Sequence, residues 1–207
     1  MLELCRHWNR HGFVLLRDHL DPTSRERLAH GVSELASWPE VPGKWMKWYE
    51  RTSEGKQLCR VEDFVPYHAG LAQILTSAPL CDVLALLLGE RPVLFKEKIN
   101  FKLPHGAGFA PHQDAPAFTS FGPSYHITVM LAVDPCTVDN GCLEVVEGLH
   151  GSGLFPQAPD GTLRPDWVEK QVGVRSRWRP RTCCCLTPIC HTARARTVLA
   201  TLGARST

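Results

Sequence analysis

The sequence predicts a mainly β domain with flanking helices. Helical periodicity is confined to the part before Gly89, and from Pro92 onward apolar and polar residues alternate at period two. A turn signal, Asp139-Asn140-Gly141, separates two of the alternating runs. At 207 residues the chain suits one domain with a proper core. Its 43% hydrophobic and 21% charged residues are ordinary for a globular protein. A net charge of +2 without a run of basic residues gives no argument for nucleic acid. No apolar run approaches the roughly 18 residues a membrane span needs. The start, Met1 to Arg6, lacks the charged-then-apolar layout of a secretory signal. Nine cysteines are many, but three are consecutive (Cys183 to Cys185) and none stands in a Cys-x-x-Cys pair. This argues against a disulfide framework or a zinc site and for a reducing compartment, most simply the cytosol.

Gly12 followed by Phe13-Val14-Leu15-Leu16 reads as a short strand. Asp21-Pro22 supplies an N-cap and a proline at the first helical position. Leu28, Val32 and Leu35 then recur at helical spacing, so a helix is expected over about Pro22 to Ser37. Trp38 to Lys56 holds three tryptophans (Trp38, Trp45, Trp48) among prolines, Gly43, Lys44, Lys47 and Arg51, with neither period. It is expected to be a long loop, either a lid tied down by its aromatics or a basic, aromatic flap over a substrate. Helical periodicity returns over Ala69 to Leu75 and Leu80 to Leu88, with Pro79 restarting the helix and Gly89 ending it. Leu84 to Leu88 is apolar nearly all round, which calls for burial against a sheet.

In Phe95 to Leu103 the odd positions are apolar except Glu97, and the even ones are Lys96, Lys98, Asn100 and Lys102. A strand normally turns its polar face to water, but in a barrel with an enclosed site that face can be the inner one. Tyr125 to Val133 alternates as well, with His126, Thr128, Met130 and Ala132 sharing one face. After the turn at 139–141, Cys142 to Val146 reads as a strand closing at Gly148. Gly151 to Asp166 is a Gly- and Pro-rich surface loop, and Asp166 to Glu169 begins a short extended or helical piece.

The chemistry is concentrated in Gly108-Phe109-Ala110-Pro111-His112-Gln113-Asp114. On an extended segment His112 and Asp114 point to the same side. One imidazole and one carboxylate facing a common cavity make two thirds of a 2-His-1-carboxylate site, which holds iron(II) with positions open for a co-substrate and oxygen. His-x-Asp alone is a weak signal, and a surface turn is the ordinary alternative.

Taken with Leu94 to Pro104, Tyr125 to Asp134 and Asn140 to Val146, this segment resembles the phytanoyl-CoA dioxygenase family of iron(II)/2-oxoglutarate oxygenases, in particular its 2-aminoethylphosphonate dioxygenase branch. The resemblance runs from about Gly12 to about Trp167. It implies a double-stranded β-helix (a jelly-roll, cupin-like), with His112 and Asp114 as metal ligands. It also places Lys98 and Asn100 on the cavity wall, Thr128 or Met130 against the co-substrate, and Arg60 near the bound acids, where a solvated arginine is the alternative. His126 shares the cavity face but reads as a hydrogen-bonded structural histidine, and His150 falls at a turn where the family's histidine is structural.

The family's second metal histidine and its 2-oxoglutarate arginine belong on late strands, and there the resemblance stops. No acidic residue follows Glu169, and Arg179 to Arg196 contains the Cys triplet and lacks alternation. Such a composition fits a reading frame that has slipped. Cysteine codons are TGT or TGC, so the frame starting at their third base reads Leu between consecutive cysteines. Permitted codons extend that frame to D-V-L-L-F-D-S-Y-L-P-H-R-S, which is similar to the family's late metal strand. On this reading residues 1–178 are the oxygenase-like domain and 179–207 an atypical, poorly ordered tail. His191, Arg194 and Arg196 are then poor replacements for the lost groups, and the barrel is left open at its closing strands.

The resemblance therefore implies a dioxygenase using iron(II) and 2-oxoglutarate, with ascorbate as a supporting reductant, that hydroxylates a small, anionic, phosphonate-like substrate. A non-catalytic variant lacking the second histidine and the arginine is the rival. A cupin-type metal protein is the third reading, which Asp114 argues against because cupins usually use more histidines and a glutamate. No nucleic-acid or membrane partner is expected.

Overall fold

The computed structural model describes residues 2–106, 108–117, 126–137, 140 and 142–171. It also describes the backbone of four later strands. Helix α1 (Leu2–His11) opens the chain, anchored by its buried Trp8. It is followed by β1 (Phe13–Arg17) and α2 (Pro22–Ser37). Asp21 caps α2 by accepting the Ser24 amide at 3.0 Å, and Leu28, Val32 and Leu35 form its buried face. Next come β2 (Met46–Thr52), β3 (Gly55–Glu62), α3 (Ala69–Leu75) and α4 (Ala78–Leu88), the last ended by Gly89 in the left-handed conformation (φ 78°). The β region contains β4 (Val93–Asn100), β5 (His112–Gln113), β6 (His126–Ala132), β7 (Glu144–Val146), the short helix α5 (Pro165–Val168), β8 (Gly173–Arg175), β9 (Thr182–Leu186), β10 (Ile189–Cys190) and β11 (Thr197–Gly203).

The strands form one seven-stranded antiparallel sheet, in the order β1-β9-β6-β11-β4-β3-β2, and two small sheets, β10-β5 and β7-β8. The apolar faces of α2, α3 and α4 lie on one side of the large sheet. Leu28, Val32 and Leu35 of α2, Leu71 and Leu75 of α3, and Leu80 and Leu84 of α4 pack with Val61, Ile99, Ile127, Val129 and Leu131. On the opposite side Met130 and Ala132 of β6 meet Phe13 and Leu15 of β1 and Cys142, Leu143 and Val145 around β7. β6 thus alternates between a helix-facing set and an inward-facing set and is buried on both faces.

Several expectations are corrected here. The segment Trp38–Lys56 is not a long loop, for it contains β2 and begins β3, the hairpin at the sheet edge. An edge strand wetted on both faces, with Trp48 51% exposed, needs no hydrophobic alternation, so none marks it. The aromatics before it still cluster: Trp38 and Trp45 lie 4.5 Å apart, and the Lys47 ammonium holds the Ala36 and Trp38 carbonyls at the end of α2. Asn140 sits between strands as expected, bonding Thr137 and Pro135, but the strands it separates belong to different sheets; Asp139 and Gly141 lie outside the described residues.

The open barrel is corrected as well. β9 fills the place between β1 and β6, and β11 that between β6 and β4, with Cys183 to Cys185 opposite Leu16 to Val14. Ladder hydrogen bonds use only N–H and C=O groups, which a segment without side-chain alternation supplies equally well. Residues 191–196, with the candidates His191, Arg194 and Arg196, lie outside the described residues. Ala69–Leu88 has a mean hydropathy of 1.8, long and apolar enough by composition for a membrane span and nearer to one than the sequence reading allowed. It is divided at Thr76 and Ser77 into α3 and α4, whose leucines are spent on the core.

Two close contacts tie the segment after β7 to the end of α1. The His150 ring packs so tightly on Gly12 (φ 78°) that a Cβ there would stand 2.4 Å from His150 Nδ1. The Gly148 amide donates to the His11 carbonyl at 2.9 Å.

Glu97 interrupts the apolar face of β4. It is buried, and its carboxylate accepts the Val65 amide at 2.9 Å. Burial raises its pKa above the ordinary 4.5, outweighing that hydrogen bond. A raised folded-state pKa means that folding takes up a proton. The associated stability is full below the ordinary pKa and is lost as pH rises through the folded value. Glu97→Gln keeps the acceptor and removes the charge, so thermal unfolding at pH 7 should shift to higher temperature. The shift should vanish in melts run below about pH 4.

Candidate metal and anion site

β5 is only two residues long, so its position depends on what grips it. Backbone pairing sets Gln113 against Ile189 and His112 against Cys190 of β10. The Leu163 amide donates to the Pro111 carbonyl at 2.8 Å. Gln113, on the opposite side from His112 and Asp114, is buried and uses both ends of its amide: Nε2 donates to Gly153 O at 2.9 Å and Oε1 accepts from the Phe155 amide at 2.7 Å. The loop after Gly151 is therefore part of the site's foundation.

His112 and Asp114 converge as the spacing requires, with Nε2 3.4 Å from Oδ1. The His112 Nδ1–H donates to the Ala110 carbonyl at 2.8 Å, which leaves Nε2 to face the carboxylate. The other Asp114 oxygen accepts the Thr128 hydroxyl at 2.9 Å. The Asp114 side chain is only 12% exposed. Burial alone would raise its pKa, but His112, the Lys98 charge and the Thr128 hydroxyl together hold it well below the usual carboxylate range. For His112 burial disfavours the imidazolium, yet the Asp114 carboxylate, by hydrogen bond and charge, raises its pKa. A neutral His112 in this tautomer would aim its Nε2 lone pair at an anionic oxygen. A proton or a cation between the two relieves that repulsion.

The pair opens into a cavity of about 620 Å³ lined also by Met46, Arg60, Glu62, Asp63, Lys96 and Lys98. This size suits a small ligand. The β3–β4 register, with Arg60 opposite Asn100 and Glu62 opposite Lys98, brings these side chains to one face, so the polar face of β4 is an inner one. Arg60 donates through Nε to Asn100 Oδ1 at 3.3 Å and through Nη1 to Glu62 Oε1 at 3.3 Å. Lys96 Nζ lies 3.5 Å from the other Glu62 oxygen. The face therefore carries its own anion, and Lys98 is the cation whose charge acts on both His112 and Asp114.

The remaining sequence-derived residues divide. Thr128 reaches Asp114 itself. Asn100 stands behind Arg60. Met130 packs with Cys136 and Cys142 in the apolar cluster that the β6 side chains at its level form with β1 and the β7 region. His126 is buried, and burial lowers its pKa against the raising effect of Asp114. Sequence reasoning missed Glu62, Asp63 and the Gln113 clamp. Glu62 stands two residues from Arg60, which on a strand is same-face spacing, and that signal was readable once 55–62 is taken as a strand.

A family description, Phytanoyl-CoA dioxygenase, matches residues 8–180. The chain belongs to the phytanoyl-CoA dioxygenase family. It is 46% identical over 175 residues to a 2-aminoethylphosphonate dioxygenase of uncultured bacterium HF130_AEPn_1, a match covering 84% of this chain and 65% of that protein. It is 38% identical over 162 residues to a methylphosphonate hydroxylase of Gimesia maris, covering 78% and 62%. The chain thus spans less than two thirds of the length of these two relatives. Among solved structures, EctD from S. alaskensis with bound Fe superposes with a TM-score of 0.83 at 15% identity, over 99% of this chain and 76% of that one. The epimerase SnoN from nogalamycin biosynthesis gives 0.75 at 22% identity, over 98% and 82%. At these identities the superpositions establish the shared jelly-roll fold.

Gln113→Ala removes two buried hydrogen bonds and leaves a carbonyl and an amide unsatisfied, a cost of about 1–3 kcal/mol for each group. Limited proteolysis should cut the 151–166 loop of this variant several-fold faster than that of the parent chain, with the remaining fragments protected.

Proposed function

We propose that this family member holds iron(II) through His112 and Asp114, takes 2-oxoglutarate beside Lys98, and acts on a small, phosphonate-like anion by C–H hydroxylation. The observation that carries the reading is the convergence of His112 Nε2 and Asp114 Oδ1 at 3.4 Å, with Nδ1 committed to the Ala110 carbonyl. That donor set fits a divalent metal: the ring nitrogen facing the carboxylate is the one left for coordination, and the carboxylate is ionised. The phosphonate-acting relatives support the substrate class.

When bound, iron and 2-oxoglutarate supply oxygen activation, 2-oxoglutarate ending as succinate and carbon dioxide. The chain's own residues do the rest. Thr128 fixes the second Asp114 oxygen and with it the plane of the carboxylate. Lys98 offers its charge to an organic acid beside the metal pair. Met46 and Phe95 contribute apolar surface to the cavity wall. The cytosolic setting expected from cysteine usage belongs to the same reading.

A second reading has its own observation. Among the described residues no group of three or more His, Cys, Asp or Glu side chains could hold a metal ion, and the family match ends at residue 180. If the tail of 179–207 supplies neither a second histidine nor a 2-oxoglutarate arginine, the chain is a non-catalytic form of the enzyme. With two ligands, iron(II) binding should be weak and should disappear in Asp114→Ala. Tight binding indifferent to that substitution places the metal elsewhere. Succinate release, measured with iron(II), ascorbate and a panel of aminophosphonates, should be absent from the chain as written. It should be present when the alternative frame is restored after Trp178. Equal turnover from both would mean that His191 or a neighbour completes the site.

The cations are separable. Lys98→Ala should weaken 2-oxoglutarate binding roughly tenfold or more, the usual worth of a charge-assisted contact. Lys96→Ala should matter less, since Lys96 is engaged with Glu62. Equal, negligible effects on isothermal titration would remove Lys98 from the site.

A further inference from the structure

The same cavity has a second polar centre, on β3 and β4, whose carboxylate Glu62 has no part in the reading above. Glu62 is the most enclosed of its members: its side chain is 7% exposed, against 29% for Arg60 and 43% for Lys96. Its two oxygens are divided between the two cations, at 3.3 and 3.5 Å. Both separations are long for charge-assisted bonds, which settle near 2.7–2.9 Å. A single carboxylate therefore spans two cations without satisfying either fully. Arg60 uses one N–H on Asn100 and one on Glu62, out of five donors in a planar fork suited to oxyanions. Of the other carboxylates that line the cavity, Asp114 is engaged with His112 and Thr128 and Glu97 with the Val65 amide, while Asp63 stands next to Glu62 in the chain.

We propose that Arg60 and Lys96 form the seat for the substrate's oxyanion, and that Glu62 occupies this seat as a tethered competitor which the substrate displaces. Taken by themselves, Arg60 and Lys96 carry one positive charge more than Glu62 returns, and a phosphonate offers them a second anionic partner. Its three oxygens reach both cations at once, where the two oxygens of Glu62 are stretched between them. Displacement leaves Glu62 beside Lys98, its cross-strand partner, so the carboxylate keeps a countercharge when it gives way. The arrangement discriminates: a weak monoanion does not dislodge Glu62, and a stronger oxyanion does. The identity of the anion rests on the phosphonate reading; the seat itself rests on these three side chains.

The test is binding of methylphosphonate to the metal-free protein, followed by calorimetry, so that neither iron nor turnover enters the result. Glu62→Gln, isosteric and uncharged, should bind methylphosphonate about tenfold more tightly than the parent chain. Arg60→Ala in the Glu62→Gln background should abolish the gain. Glu26→Gln, an exposed carboxylate of α2, should leave affinity unchanged and so exclude a general charge effect. If Glu62→Gln does not fold, Glu62→Asp serves, since retreat of the carboxylate by one methylene should also tighten binding. Unchanged or weaker binding in the folded variant would overturn the proposal and make Glu62 a strut for its two cations. Failure of iron(II) to bind, with the methylphosphonate result intact, would remove the oxygenase reading and leave the anion seat standing.

Discussion

A carboxylate enclosed at Asp114 must be kept ionised, and much of the surrounding architecture can be traced to that requirement. Burying a lone anion costs several kcal/mol unless hydrogen bonds and countercharges offset it. Thr128 on β6, His112 on β5 and the charge of Lys98 on β4 provide those terms from three separate strands. None of the three is close to Asp114 in a way that the local sequence alone could arrange, except His112. The large sheet and the small β5–β10 ladder must therefore be assembled before the carboxylate is stable. The clamp of Gln113 on the 151–166 loop belongs to the same economy, because a two-residue strand cannot hold its own position.

How much of this was readable in the sequence follows from which forces are local. His112 and Asp114 share a side on any extended backbone, so their convergence was legible without knowledge of the fold. The inward polar face of β4 was legible in the parity of Lys98 and Asn100 against Ile99 and Phe101, given the resemblance that decided between water and cavity. The helices announced themselves through Asp21-Pro22, Pro79 and Gly89. Helix α1 did not, since His7, Asn9, Arg10 and His11 surround its single buried anchor, Trp8.

The β2–β3 hairpin and the tail strands were illegible for a common reason. A strand betrays itself through the contrast between a dry and a wet face, and β2 at the sheet edge is wet on both. In β9 three consecutive cysteines present no contrast at all, yet backbone pairing places them between β1 and β6. Met130 shows the limit of parity: its face of β6 includes Thr128, which bonds Asp114, and its own packing with Phe13 and Leu15 of β1, and parity cannot tell one from the other. The partnership of Arg60 and Glu62 was missed because 55–62 was not taken as a strand, and that of Lys96 with Glu62 because it depends on a register between strands, which no single segment encodes.

The contact between Gly12 and His150 has a consequence for how relatives of this chain can diverge. The imidazole occupies the space that any side chain at position 12 would need, and the backbone there lies in the left-handed region that disfavours one. The two positions sit 138 residues apart in sequence, yet position 12 cannot gain a side chain while His150 keeps its ring. A larger residue at 12 is tolerated only where 150 has shrunk and the turn has been remade, whereas shrinking 150 first creates no clash with Gly12. Substitution order at this pair is therefore directional: a graft that brings a larger residue to position 12 meets the His150 ring, whereas one that brings a glycine does not.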